Sequence, residues 1–231
     1  LFDLRGNWAH YRKPETNNNP LTHDFITKTA LLGLIGAVLG IERKEMARLF
    51  PLLSTDLLYG VAVQNEVRKE SWAFTLRYVV DFFQKAPKQM EFLKNPANRI
   101  ALALNEEAKE ESQNIFASFL AAIEKQEAKF TPVLGLHNCP AELSFVLAGE
   151  FRAAQGEFTT HSFVTAQHQL NQEALLQGFR VGVERVPTFQ NDDFWNLPDK
   201  YVRVIYPTAG NQIAARGDYY LFSDQSQWIL I

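Results

Sequence analysis

The order of elements in this chain predicts an α+β protein, a ferredoxin-like domain with a protruding hairpin and extra C-terminal β-strands. Three observations carry that expectation. A glycine-studded helical run at 27–43 sits between strand-like segments, an amphipathic helix follows at 105–127, and everything beyond residue 140 patterns as strand. Residues 2–12, FDLRGNWAHYR, alternate imperfectly and read as a first strand that ends in polar and basic side chains. Residues 14–24, rich in Pro, Asn and Thr, form a long loop.

The run TKTALLGLIGAVLGIER from Thr27 to Arg43 has its leucines and isoleucines at helical spacing, with Gly33, Gly36 and Gly40 recurring every three or four residues. Thr27 or Thr29 suits the N-cap and Gly40 the left-handed C-terminal residue. Each interior glycine costs a helix about 1 kcal/mol relative to alanine, so a bare face implies close approach to a sheet or a ligand. The helix N-terminus follows a polar, weakly basic segment, which suits an anion as well as it suits plain packing. Glu42 to Phe50 continues as a short charged helix before Pro51. Leu57 to Arg68 reads as the second strand, with Gly60 as a bulge candidate.

Residues 70–98 combine strand-like and aromatic content with prolines and asparagines, and read as a hairpin or loop rising from the sheet. Arg99 to Leu104 returns as the third strand. Asn105 is a candidate cap for the helix at 105–127, with Glu106 and Glu107 at its positive end and Lys125 and Lys129 at the other. Ala108, Ile115, Phe116, Phe119, Leu120 and Ile123 make its apolar face. A turn-rich link at 131–140 follows. Strands are expected at 143–153, 176–187, 200–206, 217–222 and 227–231.

A length of 231 residues fits one domain with a substantial core. The single cysteine, Cys139, excludes an intrachain disulfide and suits a reducing compartment, so the expected location is cytoplasmic. No signal peptide or membrane-spanning run is visible. The net charge of −3 does not mark a free nucleic-acid binder. The average conceals a gradient, however: residues 66–100 hold seven Lys or Arg against four acids, and 101–130 hold three Lys against six Glu. A locally basic segment can bind a polyanion on an acidic molecule, or simply be solvated surface.

For chemistry, His10, Tyr11 and Lys13 lie close together where the first strand ends. Residue types of these kinds can cleave RNA without metal, by activating a 2′-hydroxyl and protonating the leaving oxygen. They can equally contact RNA without cleaving it, or be surface. His137 and Cys139 lack partners for a zinc site, and His161 and His168 lack a carboxylate at diagnostic spacing, so no metal is expected. No Walker, dinucleotide or nucleophile-elbow motif is present, and no cofactor is expected. Trp72, Phe74, Tyr78, Phe82, Phe83 and Phe92 lie among basic residues. They suit stacking on unpaired bases, or a core or subunit interface, and the interface is the more ordinary use.

Three segments together resemble one family. GNWAHYRKPETNNNPLTHDFITKTALLGLIGAVLGIER resembles the opening of the Cas-five proteins of type I CRISPR systems, in which a polar loop leads into a TR-x-x-LLG-x-LGA-x-LGI-x-R-like helix. EFLKNPANRIAL at 91–102 and TPVLGLHNCP at 131–140 agree with the same family. The resemblance covers most of residues 2–140, and AHYRK and EFLKNP point to the type I-B branch.

The resemblance implies a single domain of the RAMP superfamily over 1–231. It would have a modified RRM-like fold, a thumb-like insertion at about 72–98 and a β-rich extension at about 143–231. It implies a non-catalytic subunit of the Cascade surveillance complex in antiviral defence. Such a subunit grips the 5′ handle of the CRISPR RNA, caps the backbone, and contacts the adjacent backbone subunit and the large subunit that recognises the PAM. Target DNA is met only through the complex. Handle contacts are then expected from His10, Tyr11, Arg12, Lys13, Asn17, Asn18, Thr27, Lys28, Thr29, His137 and Asn138, with Arg77, Lys85 and Lys88 of the thumb on phosphates. Lys28 stands where arginine is common, so a point charge replaces a bidentate fork. One branch, in type I-C, cleaves the precursor RNA with Tyr, Lys and His side chains. This makes metal-independent ribonuclease activity the alternative.

Overall fold

A computed structural model describes residues 1–77, 83, 85–171, 180–192 and 197–231. In its first two thirds the chain forms β1 (Phe2–Arg5), β2 (Trp8–Ala9), α1 (Lys28–Leu39), α2 (Arg43–Asp56), β3 (Leu57–Val63), β4 (Lys69–Arg77), β5 (Lys85–Lys94), β6 (Ala97–Leu104), α3 (Glu110–Glu124) and β7 (Glu142–Phe145). The rest forms β8 (Phe151–Thr160), β9 (Val164–Thr165), β10 (Gln169–Leu170), β11 (Val181–Phe189), β12 (Lys200–Pro207), β13 (Ile213–Phe222) and β14 (Gln227–Trp228). It is a mixed α and β architecture with few helices and mainly antiparallel strands.

The central sheet has the order β3-β6-β1-β7, every neighbour antiparallel. One face carries Phe2, Leu4, Tyr59, Val61 and Ile100 and packs against Leu31 and Ile35 of α1 and Phe119 of α3. Phe2 meets Phe119 edge to face at 5.6 Å. The other face is made of small residues, Ala62 and Ala101, and is covered by Phe222, Trp228 and Leu230. Two layers thus bury both faces of one sheet.

Several sequence expectations change in detail. The first strand is two strands: Gly6 packs where a Cβ would meet Leu134 at 2.6 Å, and β2 leaves to pair with β5. The helix before Pro51 runs through it to Asp56, because burial of Met46, Leu49, Phe50 and Leu53 outweighs one lost backbone bond. β3 stops at Val63 instead of Arg68, and Gly60 pairs in regular register with Ala101. That glycine admits the C-terminal segment, whose Ile229 carbonyl would lie 2.6 Å from a Cβ there. The segment expected at 143–153 divides into β7 and β8, since Val146 and Leu147 turn to donate to the Leu1 carbonyl. Most of β8, all of β9 and all of β10 were without a sequence signal, and 176–179 lie outside the described residues.

α1 matches its sequence signals. Thr27 caps it by accepting from the Ala30 amide at 3.2 Å, and Gly40 ends it at φ 69°. At Gly36 a Cβ would meet Met46 of α2 at 2.7 Å, whereas Gly33 faces open space. Lys28, in the first turn, is buried, and burial lowers its pKa to about 8. No carboxylate among the described residues pairs with its ammonium. α3 starts five residues later than its pattern suggested. Asn105 spends its side chain on the Glu107 amide at 2.6 Å. The cap comes instead from Asp56, which accepts from the Lys109 amide at 3.0 Å and the Ser112 hydroxyl at 2.7 Å.

β11 and β12 form a third layer with β9. It is fastened to the polar loop at 13–24 by a buried ionic network. Glu184, 3% exposed, accepts from Lys13 Nζ at 2.9 Å and the Asp24 amide at 3.2 Å, and its other oxygen lies 3.0 Å from His23 Nδ1. Asp24 in turn accepts from the Tyr206 hydroxyl and pairs with Lys69 of β4 at 2.7 Å. Lys69 also donates to the Thr22 carbonyl at 2.9 Å and lies 3.4 Å from Glu91 of β5. The Tyr206 ring lies across Gly182, where a Cβ would meet it at 2.1 Å. Burial alone would raise the Glu184 carboxyl, but hydrogen bonds from His23 and Lys13 outweigh it and hold the pKa at about 2.

Two stability predictions follow from these buried charges. Because the Glu184 carboxyl sits below its ordinary 4.5, its contribution is fully present above that pH and is lost as pH falls towards 2. Glu184→Gln should therefore lower unfolding free energy by about 3 kcal/mol at pH 7. The gap to wild type should close between pH 4.5 and 2, measured by urea titration. Lys28 has the opposite sense: the cost of burying its charge is full below pH 8 and fades as pH rises towards 10.5. Lys28→Met should raise stability by about 3 kcal/mol at pH 7 and by little at pH 10. A pH-independent difference in either variant would contradict these assignments.

Candidate functional site

Residues 10–13 form a strap between two other segments. The His10 amide donates to the Leu134 carbonyl at 3.0 Å, and the His23 amide donates to the Tyr11 carbonyl at 2.8 Å. Tyr11 also donates its amide to the Thr22 hydroxyl at 2.9 Å, and Arg12 bridges to Thr22. Gly135, at φ 90°, lies so close under the strap that a Cβ would sit 2.0 Å from the His10 carbonyl oxygen. Only glycine fits that place on both counts. The 131–140 loop is closed by a bridge between Val133 and Pro140, with Leu134 and Cys139 buried beneath.

Strap, loop and α1 enclose a groove of about 760 Å³. Its walls include His10, Tyr11 and Arg12 of the strap, Thr27, Thr29, Ala30, Gly33 and Leu34 at the start of α1, and Val133, Gly135 and Leu136 of the loop. Pro187, Gln190, Leu197 and Pro198 close the far side. The open space beside Gly33 is part of this groove. The positive end of the α1 dipole and the exposed Arg12 favour an anion at one end, and the proline- and leucine-rich walls favour a flat apolar group.

The structure brings His10, Tyr11, Arg12, Thr27 and Thr29 to one groove. Asn17 and Asn18 are exposed on the neighbouring loop, and Lys88 Nζ lies 3.5 Å from Asn18 Oδ1. Lys85 is exposed on the hairpin, opposite Arg77 in register. His137 and Asn138 are exposed at the tip of the 131–140 loop. Lys13 and Lys28 are not on the groove walls: Lys13 is tied to Glu184 and Lys28 is buried.

The three residue types suited to acid–base work do not form an open cluster. His10 is buried and its Nδ1 donates to the Glu91 carbonyl at 2.7 Å, so Nε2 is the unprotonated nitrogen and has no partner among the described residues. Burial lowers the His10 pKa. The Tyr11 hydroxyl is also buried without a partner among the described residues, and burial pushes its pKa far above the ordinary phenol value. Lys13 is engaged by Glu184 2.9 Å away.

The hairpin aromatics mostly pack on one another. Trp8 meets Trp72 at 4.5 Å, and Phe92 lies 5.4 Å from Trp72 and 5.9 Å from Phe74. They weld the hairpin base to β2. Trp72 keeps one part in solvent and Phe83 is almost wholly exposed. Tyr78 and Phe82 lie outside the described residues. Among the described residues no three His, Cys, Asp or Glu side chains are placed to hold a metal ion together, and no helix is long and apolar enough to cross a membrane.

Sequence reasoning missed the far wall of Pro187, Gln190, Leu197 and Pro198, because the C-terminal third was legible only as a strand pattern. It also missed Glu184. A signal existed: in VGVERVPTF the two-residue period puts Glu184 in phase with the buried Val186.

Comparison with known proteins agrees with this architecture. No sequence among curated proteins matches the chain. Among solved structures it is similar to a CRISPR protein from Archaeoglobus fulgidus, with a TM-score of 0.59 at 15% identity, covering 98% of this chain and 96% of that one. It is also similar to a chain of a CRISPR RNA-guided surveillance complex, with a TM-score of 0.53 at 11% identity, covering 97% and 92%. The family model described as CRISPR-associated protein (Cas_Cas5) matches residues 1–209. The chain therefore belongs to the CRISPR-associated Cas5 family.

Proposed function

We propose that this chain is a non-catalytic subunit of a type I Cascade complex, of the I-B kind, that holds the 5′ handle of the CRISPR RNA in the groove between strap, α1 and the 131–140 loop. The observation that carries the reading is the convergence of family-like segments on that one groove, with the N-terminus of α1 and Arg12 at its edge. A splayed single-stranded handle supplies both phosphates for the cationic end and bases for the apolar walls. The strand order β3-β6-β1-β7, with α1 and α3 as the crossovers, supports a ferredoxin-like, RRM-like core for this subunit. The β4–β5 hairpin serves as the thumb, with Lys85 and Lys88 directed to RNA backbone. In the assembled complex, the chain caps the backbone against an adjacent subunit and meets the large PAM-recognising subunit, in the cytoplasm. A non-catalytic role is supported by the buried Tyr11 hydroxyl and the engaged Lys13.

Binding of labelled repeat RNA to the purified chain tests the groove. Gly33→Leu projects into open space, so the fold should hold and α1 should gain about 0.5–1 kcal/mol. RNA affinity should nevertheless fall at least tenfold. Arg12→Ala should weaken binding and flatten the dependence of log affinity on log salt by about one unit. Undiminished binding by Gly33→Leu would exclude the groove. In EDTA, the repeat RNA should emerge intact on a denaturing gel, and specific cleavage would replace the scaffold reading with the ribonuclease one.

A further inference from the structure

The outer face of β11 and β12 reverses the usual order of burial. Glu184 points inward, while Val181 and Val183 are 40% and 58% exposed. In the antiparallel register Val183 stands opposite Ile205 and Arg185 opposite Arg203. Both arginines are exposed. Like charges directly across a strand pair are destabilising. Among the described residues neither arginine forms an ion pair. The carboxylates of Glu15 and Asp199 act on the adjoining Tyr201, and among the described residues no ion pair joins either of them to an arginine. The Arg185 guanidinium lies over the Tyr201 ring, 4.1 Å from its centroid.

We propose that this face is a docking surface for an acidic segment of a protein partner, whose carboxylates pair with Arg185 and Arg203 and whose apolar side chains cover Val181 and Val183. Charge complementarity carries the choice. An isolated chain with net charge −3 gains nothing from two facing arginines that make no ion pair among the described residues, and a carboxylate partner relieves the repulsion with bidentate bonds. Exposed arginine and aliphatic side chains around a half-buried tyrosine are the composition of a protein interface. A nucleic-acid partner fits less well. Phosphates leave the valines uncovered, and the Tyr201 face that a base would stack on is occupied by Arg185. The proposal is independent of the groove and of what the groove binds.

The probe is a fluorescein-labelled dodecapeptide of alternating glutamate and valine, with its glutamine counterpart and a dodecauridylate as controls. The wild-type chain should bind the glutamate peptide saturably and with salt sensitivity, and should not bind the glutamine peptide. The double variant Arg185→Gln/Arg203→Gln should bind at least tenfold more weakly. Arg203→Glu separates folding from binding: it gives Arg185 a cross-strand partner, so it should melt at or above the wild-type temperature while losing the peptide. Equal peptide binding by wild type and double variant would overturn the proposal, as would a lower melting temperature for Arg203→Glu. Loss of dodecauridylate binding in these variants, with no peptide binding by wild type, would overturn it in favour of a nucleic-acid surface.

Discussion

The Glu184 carboxylate is the constraint around which the N-terminal loop and the third layer are arranged. It sits on β11 with its side chain inward, and Lys13, His23 and the Asp24 amide all converge on it. A buried carboxylate left alone is costly, so the loop at 13–24 can take only conformations that deliver these donors. Asp24 extends the same logic to Tyr206 of β12 and Lys69 of β4. One polar cluster thereby ties the loop, the hairpin base and the C-terminal layer together, where apolar packing alone would leave their relative positions loose.

The groove is a consequence of that arrangement. With 13–24 held against β11, the strap at 10–12 has to run past the start of α1, and Gly135 lets the 131–140 loop close beneath it. Each wall therefore comes from a different part of the chain, and backbone hydrogen bonds hold the strap to the 131–140 loop and to the polar loop. Such a site keeps its shape while side chains on its rim are free to contact a ligand. α1 serves both purposes: Gly36 admits Met46 of α2, while Gly33, almost one turn earlier, leaves the groove open.

The β11–β12 layer shows the same economy on its two sides. Its inner face takes the charge network, and its outer face is left with valines and an arginine pair. Glu184 and Arg185 are adjacent in sequence and opposite in environment, the ordinary result of a two-residue period. The groove and the outer face are thus separate consequences of one strand's phase.

Local signals settled what is local. Caps at Thr27 and Gly40 bounded α1, its 3.6-residue period defined its buried side, and the TPVLG and EFLKNP segments carried the family resemblance. Elements that depend on distant partners were less legible. Asp56 caps α3 from another helix, Gly60 answers to Ile229 rather than to its own strand, and α2 persists through Pro51 because of what it buries. Residues 10–13 drew notice together in the sequence, yet nothing local distinguishes Arg12 on a groove wall from Lys13 bound to a glutamate far along the chain. The sequence by itself determined the class of elements, the glycine helix and the family. The tertiary structure alone decided which charges are neutralised inside and which face outward, because that choice is made by partners brought together through folding.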